Sequence, residues 1–257
     1  MSAPSRSRAS ELNLTWLGQA GYLIESDGTR FAIDPYFSDI VEQREGLRRL
    51  IPPPFTLADL SPDVLLITHN HLDHFDPETV AQIAHDSPKC SLLGPRTVMD
   101  HGKQVGLGQD RLRLISPGET IRLAGLAITA TPARHSDPSA VGFIIRTGDA
   151  TLWFSGDTLY YPELAGQVRE LAGGAVDVAT VCINGRLGNM NLREAATLIA
   201  ELQPRLAIPT HYGMFAENTA DPREFISACS QHQQVAVALA CGRSCELRGL
   251  LAEVPTR

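Results

Sequence analysis

No apolar run in the chain approaches the ~18 residues needed to cross a bilayer, so no membrane segment is expected. The first ten residues, MSAPSRSRAS, are small, polar and mildly basic, and no apolar stretch of a secretory signal follows them. They read as a disordered tail, residues 1–10, ahead of a single domain over residues 11–257. Cysteine is scarce. The five thiols, Cys90, Cys182, Cys229, Cys241 and Cys245, are odd in number, which excludes a fully paired disulfide scaffold and suits a reducing cytoplasm. Cys241 and Cys245 lack the second pair that would complete a zinc knuckle and read as ordinary buried or half-buried thiols. Positive charge is also short: 22 Lys and Arg stand against 29 Asp and Glu, a net charge of −7. That balance disfavours a nucleic-acid partner, which needs a basic face, and leaves a small molecule as the expected partner. A homo-oligomer is neither required nor excluded. No G-x-S-x-G is present, so no serine nucleophile on a strand–helix elbow is expected.

What remains is ordinary globular material, 43% hydrophobic and 20% charged, enough for one sizeable core. "LNLTWLG", "YLIES" and "RFAIDP" read as three opening strands, the first two joined through Gln19-Ala20-Gly21. Residues 38–60 hold a short helix and then Pro52-Pro53-Pro54, which fits neither a helix interior nor a central strand. A surface loop is expected there. "DVLLIT" reads as a buried strand. Asp76 caps a helix that opens at Pro77, with Glu78 in its first turn. A strand at "CSLLG" and a helix at "PRTVMDHGKQVG" follow, and the stretch from Arg111 to Phe154 is rich in strands. Helices are expected around "PELAGQVRELA", from Asn191 to Leu202 behind an Asn191–Glu194 capping box, and at "PREFISACSQ". Between and after them "VDVATVCI", "RLAIP" and "VAVALA" read as strands. This order predicts two sheets packed face to face with helices outside each.

One stretch stands apart. "ITHNHLDHFD", residues 67–76, gathers three histidines and two aspartates just past a strand. His69 and His71 are two apart, so on extended backbone both face one side and can reach one ion. Asp73 and His74 follow at once, where a turn can aim them at a second point. Three more donors stand at the ends of other strands: His135 in "TPARH", Asp157 in "SGDT" and His211 in "PTHYG". Strand ends are where layered α/β proteins gather their ligand sites. Imidazole and carboxylate without thiolate suit zinc, manganese or iron.

The order H-x-H-x-D-H, then His, Asp and His, resembles the metallo-β-lactamase superfamily. The likeness spans nearly the whole chain, from "LTWLGQAGYLIE" and "IDPYFSD" to "IPTHYGMFAENTADPREF". That last segment, together with "RRLIPPPF", looks most like the L-ascorbate-6-phosphate lactonase-like branch of metal-dependent hydrolases. The resemblance implies an α/β fold, a four-layer αββα sandwich. It implies two divalent ions, zinc or manganese ahead of iron. One would sit on His69, His71 and His135, the other on Asp73, His74 and His211, with Asp157 shared. It also implies hydrolysis of a lactone or related ester, a sugar-phosphate lactone among them. Hydroxide generated between the ions would be the nucleophile, with Asp73 orienting it or taking its proton. A small or lipid-like phosphodiester would suit the same donors. Iron-dependent oxygen chemistry and a non-catalytic binding role are the alternatives from other classes.

Further candidates surround this ring. Asp34 in "AIDP" either orients a metal-bound histidine or caps the turn before Pro35. Asn184 and Arg186 open the loop that contains "LGNMN", expected to rim the pocket, and the Arg186 fork suits an anionic group. Arg134, beside His135, is a similar candidate. Tyr212, beside His211, either donates to a developing oxyanion or packs. Arg44, Arg48 and Arg49 would attract a phosphate if residues 38–60 form a lid. His85, His101 and His232 fall outside the pattern and read as surface histidines.

Overall fold

In the opening strands apolar residues run consecutively, so both faces of their sheet must be covered. The computed structural model, which describes residues 12–254, has that arrangement. The tail expected over residues 1–10 lies outside the described residues. Strands β1 (Asn13–Gly18), β2 (Gly21–Ser26) and β3 (Thr29–Ile33) pair antiparallel. Strands β4 (Val64–Leu66), β5 (Ser91–Gly94) and β6 (Leu112–Leu114) then add in parallel. The second sheet begins as an antiparallel ladder of β7 (Thr120–Leu123), β8 (Leu126–Pro132), β9 (Val141–Arg146) and β10 (Thr151–Phe154). It continues in parallel with β11 (Val178–Cys182) and β12 (Leu206–Thr210). The chain finally returns as β13 (Ser244–Glu246) on the free edge of β1. The sheets therefore have orders β13-β1-β2-β3-β4-β5-β6 and β12-β11-β10-β9-β8-β7.

Alternation assigns the faces. Tyr22, Ile24, Phe31, Ile33, Val64 and Leu66 enter the core shared with the second sheet. Their neighbours Leu23, Ala32, Leu65 and Ile67 enter a second core. That core is closed by α3 (Pro77–Asp86) and α4 (Arg96–Gln104) through Val80, Ile83, Val98 and Met99. On the far side α5 (Leu164–Ala172), α6 (Leu192–Leu202) and α7 (Pro222–Gln231) bury Leu164, Val168, Leu198, Ile199 and Phe225 in the main core. Two mixed sheets flanked by helices result, the four-layer arrangement expected. The caps form as the sequence implies. Asp76 accepts from the backbone N–H groups of Glu78 and Thr79 at 3.0 and 3.1 Å. Asn191 Oδ1 accepts from Glu194 N at 3.1 Å while Glu194 Oε2 accepts from Asn191 N at 2.8 Å. Among the described residues no helix is long and apolar enough to cross a membrane.

Residues 38–60 are more ordered than a plain surface loop. Helices α1 (Ile40–Glu45) and α2 (Leu57–Leu60) form within them. Ile40 and Val41 join Tyr36, Met214 and Phe215 in a small satellite core. The strand expected at "VAVALA" does not form. Only Ala236 pairs, alongside Ala207, with Ala207 N donating to Val235 O at 2.9 Å and Val237 N to Ala207 O at 3.0 Å. The next donor in that parallel ladder would be residue 209 of β12, which is proline and has no N–H to give. Strand β13 and the C-terminal helix α8 (Leu247–Ala252) were not anticipated. Both are short, three and six residues, and β13 carries only one half-buried position.

Candidate metal centre

Past β4, Ile67 N donates to Leu93 O at 3.0 Å and Thr68 N to Asp34 Oδ1 at 2.8 Å before the chain turns. His74 N and Phe75 N both donate to His71 O, at 3.0 and 2.7 Å. The turn brings His74 back under His69, with ring centroids 4.0 Å apart. Phe75 is buried in the second core and anchors the far side of the turn. Asp76 does more than cap α3: its carboxylate also accepts from Ser38 N at 2.9 Å, tying the 38–60 segment to the turn. Asp137, absent from the sequence reading, clamps the same turn from another direction. It accepts from Asn70 N at 3.3 Å, Thr97 Oγ1 at 2.6 Å and Ser139 N at 2.8 Å.

The seven donors named by the sequence come together, and their rings are aimed. Around the first cluster each imidazole has its outer nitrogen engaged. His69 Nδ1 faces Thr68 Oγ1 at 3.0 Å, His71 Nε2 faces Ser136 Oγ at 3.3 Å, and His135 Nδ1 faces the Gly188 carbonyl at 3.1 Å. Their inner nitrogens converge: His71 Nδ1 lies 3.0 Å from His69 Nε2 and 3.1 Å from His135 Nε2. In the second cluster Asp34 Oδ2 takes His74 Nδ1 at 2.7 Å, leaving His74 Nε2 to face Asp157 Oδ1 at 3.4 Å and Asp73 Oδ2 at 3.7 Å. His211 Nε2 lies 3.2 Å from Asp157 Oδ2 and 3.3 Å from Asp73 Oδ2. Asp157 thus stands between the clusters. Asp34 is held in turn by Thr68 N at 2.8 Å and Thr68 Oγ1 at 2.6 Å, so it orients His74 instead of merely capping a turn.

Local backbone has adapted to this crowding. Asp34, Gln19 and His211 all have positive φ, at 41°, 51° and 61°, a cost that packing around the centre must hold in place. Gly188 also has positive φ, and a Cβ there would lie 3.1 Å from His135 Nδ1, so the carbonyl contact requires glycine. Gln19, read from sequence only as part of a turn, is wholly buried, and its Nε2 donates to Asp73 Oδ2 at 2.7 Å. Its carbonyl accepts from His211 N at 3.0 Å and Thr210 Oγ1 at 2.7 Å.

The electrostatics divide along the same line. Burial pushes His69 well below the usual imidazole value, and the neighbouring His74 and His135 add to this. His71 shifts down for the same causes, burial first and then His135 and His74. His74 moves the opposite way: burial opposes its charged form, but Asp157, Asp73 and Asp34 together hold it well above the ordinary range. His211 is raised to about 9, burial again being outweighed, here by Asp157 and Asp73. Burial also opposes ionisation of Asp73 and Asp157, yet His74 and His211 hold both well below the usual carboxylate range. A buried carboxylate, Asp157, and a half-buried one, Asp73, therefore demand positive charge at this spot.

The donors open onto a cavity of about 440 Å³ lined by His71, Asp73, Asp157 and His211 on its floor. Several expected substrate contacts are elsewhere. Arg134 lies over the Tyr161 ring, 3.9 Å from its centroid, and pairs with Glu163 at 3.5 Å. Arg186 is exposed and does not line the cavity. Tyr212 is buried, stacks on Trp16 with centroids 4.8 Å apart and does not line the cavity. Arg49 is a structural clip, donating to the carbonyls of Ile51, Ser38 and Tyr36 at 2.8, 2.9 and 3.3 Å. Arg44 and Arg48 are exposed and do not line the cavity. Asn184 sits one layer back: it accepts from Asn189 Nδ2 at 3.1 Å and donates to Asn218 Oδ1 at 2.8 Å. Asn189 and Asn218 line the cavity, and Asn189 also donates to Asp157 Oδ2 at 2.7 Å. Of the remaining histidines His85 and His232 are exposed, whereas His101 is half-buried against Phe75, not a plain surface residue. The thiols of Cys241 and Cys245 are free and half-buried.

Residues 29–212 match the family model described as the beta-lactamase superfamily domain. The chain is 32% identical over 215 residues to a UPF0173 protein of Pyrococcus furiosus, covering 83% of this chain and 89% of that one. The chain belongs to the UPF0173 family of the beta-lactamase superfamily. A UPF0173 metal-dependent hydrolase of Methanosarcina mazei is 29% identical over 231 residues, 85% of this chain and 90% of that one. In fold the chain is similar to Igni18, a metallo hydrolase of Ignicoccus hospitalis, with a TM-score of 0.75 at 24% identity over 92% of this chain and 98% of that one. In this UPF0173 chain the superfamily fold brings four strand ends and one turn to a single cavity floor.

Proposed function

We propose that this protein is a metal-dependent hydrolase acting on a lactone or related carboxylic ester, with two divalent ions on the seven donors. One observation carries the reading. Buried imidazoles have their outer nitrogens engaged and their inner nitrogens aimed at one another, and His74 Nε2 and Asp157 Oδ1 are buried without a hydrogen bond. Unpaired buried groups of this kind are costly unless a cation takes them up. The donor set fits: His69, His71 and His135 would hold one ion, Asp73, His74 and His211 the other, with Asp157 reaching both. Nitrogen and oxygen donors without thiolate suit zinc or manganese, and iron after them. When bound, such ions supply an activated water and polarise the substrate oxygen at neutral pH.

The chain's own residues then have distinct tasks. Asp34 fixes the His74 tautomer, and the Gly188 carbonyl fixes that of His135. Gln19 donates to Asp73 Oδ2 and so fixes the carboxylate that would help hold the second ion and orient the attacking water or take its proton. Asn189 keeps the Asp157 carboxylate in place from the cavity side. The likeness to the Methanosarcina mazei relative, a metal-dependent hydrolase, supports the reaction class. The lactone preference rests on the likeness of "IPTHYGMFAENTADPREF" and "RRLIPPPF" to the lactonase-like branch. Among the described residues no Lys or Arg lines the cavity, which favours an ester over a phosphodiester. The test is metal quantification on protein purified without added metal, followed by turnover assays on lactones, carboxylic esters and phosphodiesters. Two equivalents of zinc or manganese with lactone or ester turnover is the expected result. Iron with substrate-dependent oxygen uptake, or loaded protein inert on every class, would overturn it.

A further inference from the structure

The wall above the donors is lopsided in charge. Val41, Glu45, Leu47 and Phe215 line it together with Leu187 and Asn189, and Val41, Leu47 and Phe215 pack against one another in the satellite core. Outside the ring of metal donors, Glu45 is the one charged side chain lining the cavity among the described residues. The arginines that the sequence placed nearby do not balance it, because Arg49 and Arg134 are engaged elsewhere and Arg44, Arg48 and Arg186 do not reach the lining. The backbone of Glu45 is held in position, while its side chain is exposed where it lines the cavity. Glu45 ends α1, whose Ile40 and Val41 are anchored in the satellite core, and Gly46 closes the helix in the left-handed region with its N–H on Glu42 O at 3.0 Å. Partial burial and then the Asp73 charge push its carboxyl up, consistent with both groups facing the same space.

We propose that Glu45 is a specificity-determining residue. It selects esters or lactones whose far end is apolar, uncharged or cationic, and rejects those that carry a carboxylate or phosphate there. This rests on the hydrolase reading, since it supposes that the scissile carbonyl lies on the donor floor and the rest of the molecule against the wall. Val41, Leu47, Leu187 and Phe215 then take the hydrocarbon body, while Glu45 repels a terminal anion and attracts a terminal ammonium. Repulsion of the wrong ligand is an effective way to build such a preference. A phosphorylated sugar lactone, one of the substrates the resemblance implies, would be disfavoured.

The test uses metal-loaded, full-length protein and two matched series. Hexanohydroxamic acid, its ω-carboxy analogue and its ω-amino analogue are titrated by calorimetry; they need no turnover. The p-nitrophenyl esters of hexanoic, adipic (as the mono-ester) and 6-aminohexanoic acids report hydrolysis. The ω-carboxy hydroxamate should bind about tenfold more weakly than the neutral one, a size set by one like charge in a half-screened site. Glu45→Gln should remove most of that gap, and Glu45→Lys should reverse it. Equal binding across the series, or a gap that neither variant moves, overturns the proposal; a purely structural role for Glu45 would not invert a charge preference. If the hydroxamates follow the expected order but no ester is turned over, the hydrolase reading falls while the charge selection stands.

Discussion

The floor and the wall of the cavity are built by different rules. The floor is made of strand ends and one tight turn, and nearly every donor is positioned by a second group: Asp34 behind His74, Thr68 behind His69, Gly188 behind His135, Gln19 behind Asp73. The wall is made of irregular segments held by a satellite core of Tyr36, Ile40, Val41, Met214 and Phe215 and by Arg49 reaching three carbonyls. Floor residues are polar and buried or half-buried, and most have a hydrogen-bonding group behind them. Wall residues are mostly apolar and held by packing. The difference suggests that the floor fixes the reaction while the wall fixes what reacts, so perturbing each should give separable effects.

The largest effect is expected on the floor at its most open carboxylate. Asp73→Ala should lower turnover roughly 10²–10⁴-fold, the range for a lost group that orients or deprotonates a nucleophile. The fold, followed by circular dichroism, and about one equivalent of metal should persist, because His69, His71 and His135 do not depend on Asp73. Near-full activity in this variant would break the two-ion reading. Next is Asp34→Ala. It strips the acceptor from His74 Nδ1, Thr68 N and Thr68 Oγ1 together. Metal affinity, measured by competition with a chelator, should fall roughly 10–100-fold, as for other groups that orient a metal-bound histidine. Unchanged affinity would mean that Asp34 only closes the turn after β3. Gln19→Leu is close in size and removes the amide that donates to Asp73 at 2.7 Å and lies 3.2 Å from His211 Nε2. A drop in kcat of about tenfold, with KM near its original value, is expected from losing a hydrogen bond to a charged acceptor.

The same division governs what could be seen in the sequence. Floor donors were legible because metal ligands must be His or Asp and because each follows an apolar strand. His69, His71, Asp73 and His74 are even contiguous with the turn that sorts them. The residues behind them were not. Gln19, Asn189, Asn218 and Asp137 are neutral amides or a loop acid with no periodicity, and their value appears only when loops far apart in sequence meet. Neighbours of ligands were misleading: Tyr212 and Arg134 follow and precede donors, yet one stacks on Trp16 and the other lies over the Tyr161 ring. "VAVALA" failed for a related reason. Its own pattern is a good strand, but the ladder it needs is stopped by Pro209 on the neighbouring β12.

The smaller effects lie on and beyond the wall. Arg49→Ala leaves three carbonyls without their guanidinium donors in a half-buried setting. A loss of about 1–3 kcal/mol of stability is expected, read as a lower Tm, with both metal equivalents retained. If metal were lost as well, floor and wall would be one unit and the distinction would fail. Arg134→Ala should do least. Arg134 and its partner Glu163 are both about 60% exposed, at 60% and 61%, so the pair is screened by solvent. Stacking on Tyr161 adds only about 0.5–1 kcal/mol at an exposed site. A fall in Tm of no more than a few degrees is expected, with KM unchanged for neutral and anionic esters alike. A KM that rose only for anionic esters would give Arg134 the substrate contact that its place beside His135 suggested, and would put a cation on a wall that otherwise carries only Glu45.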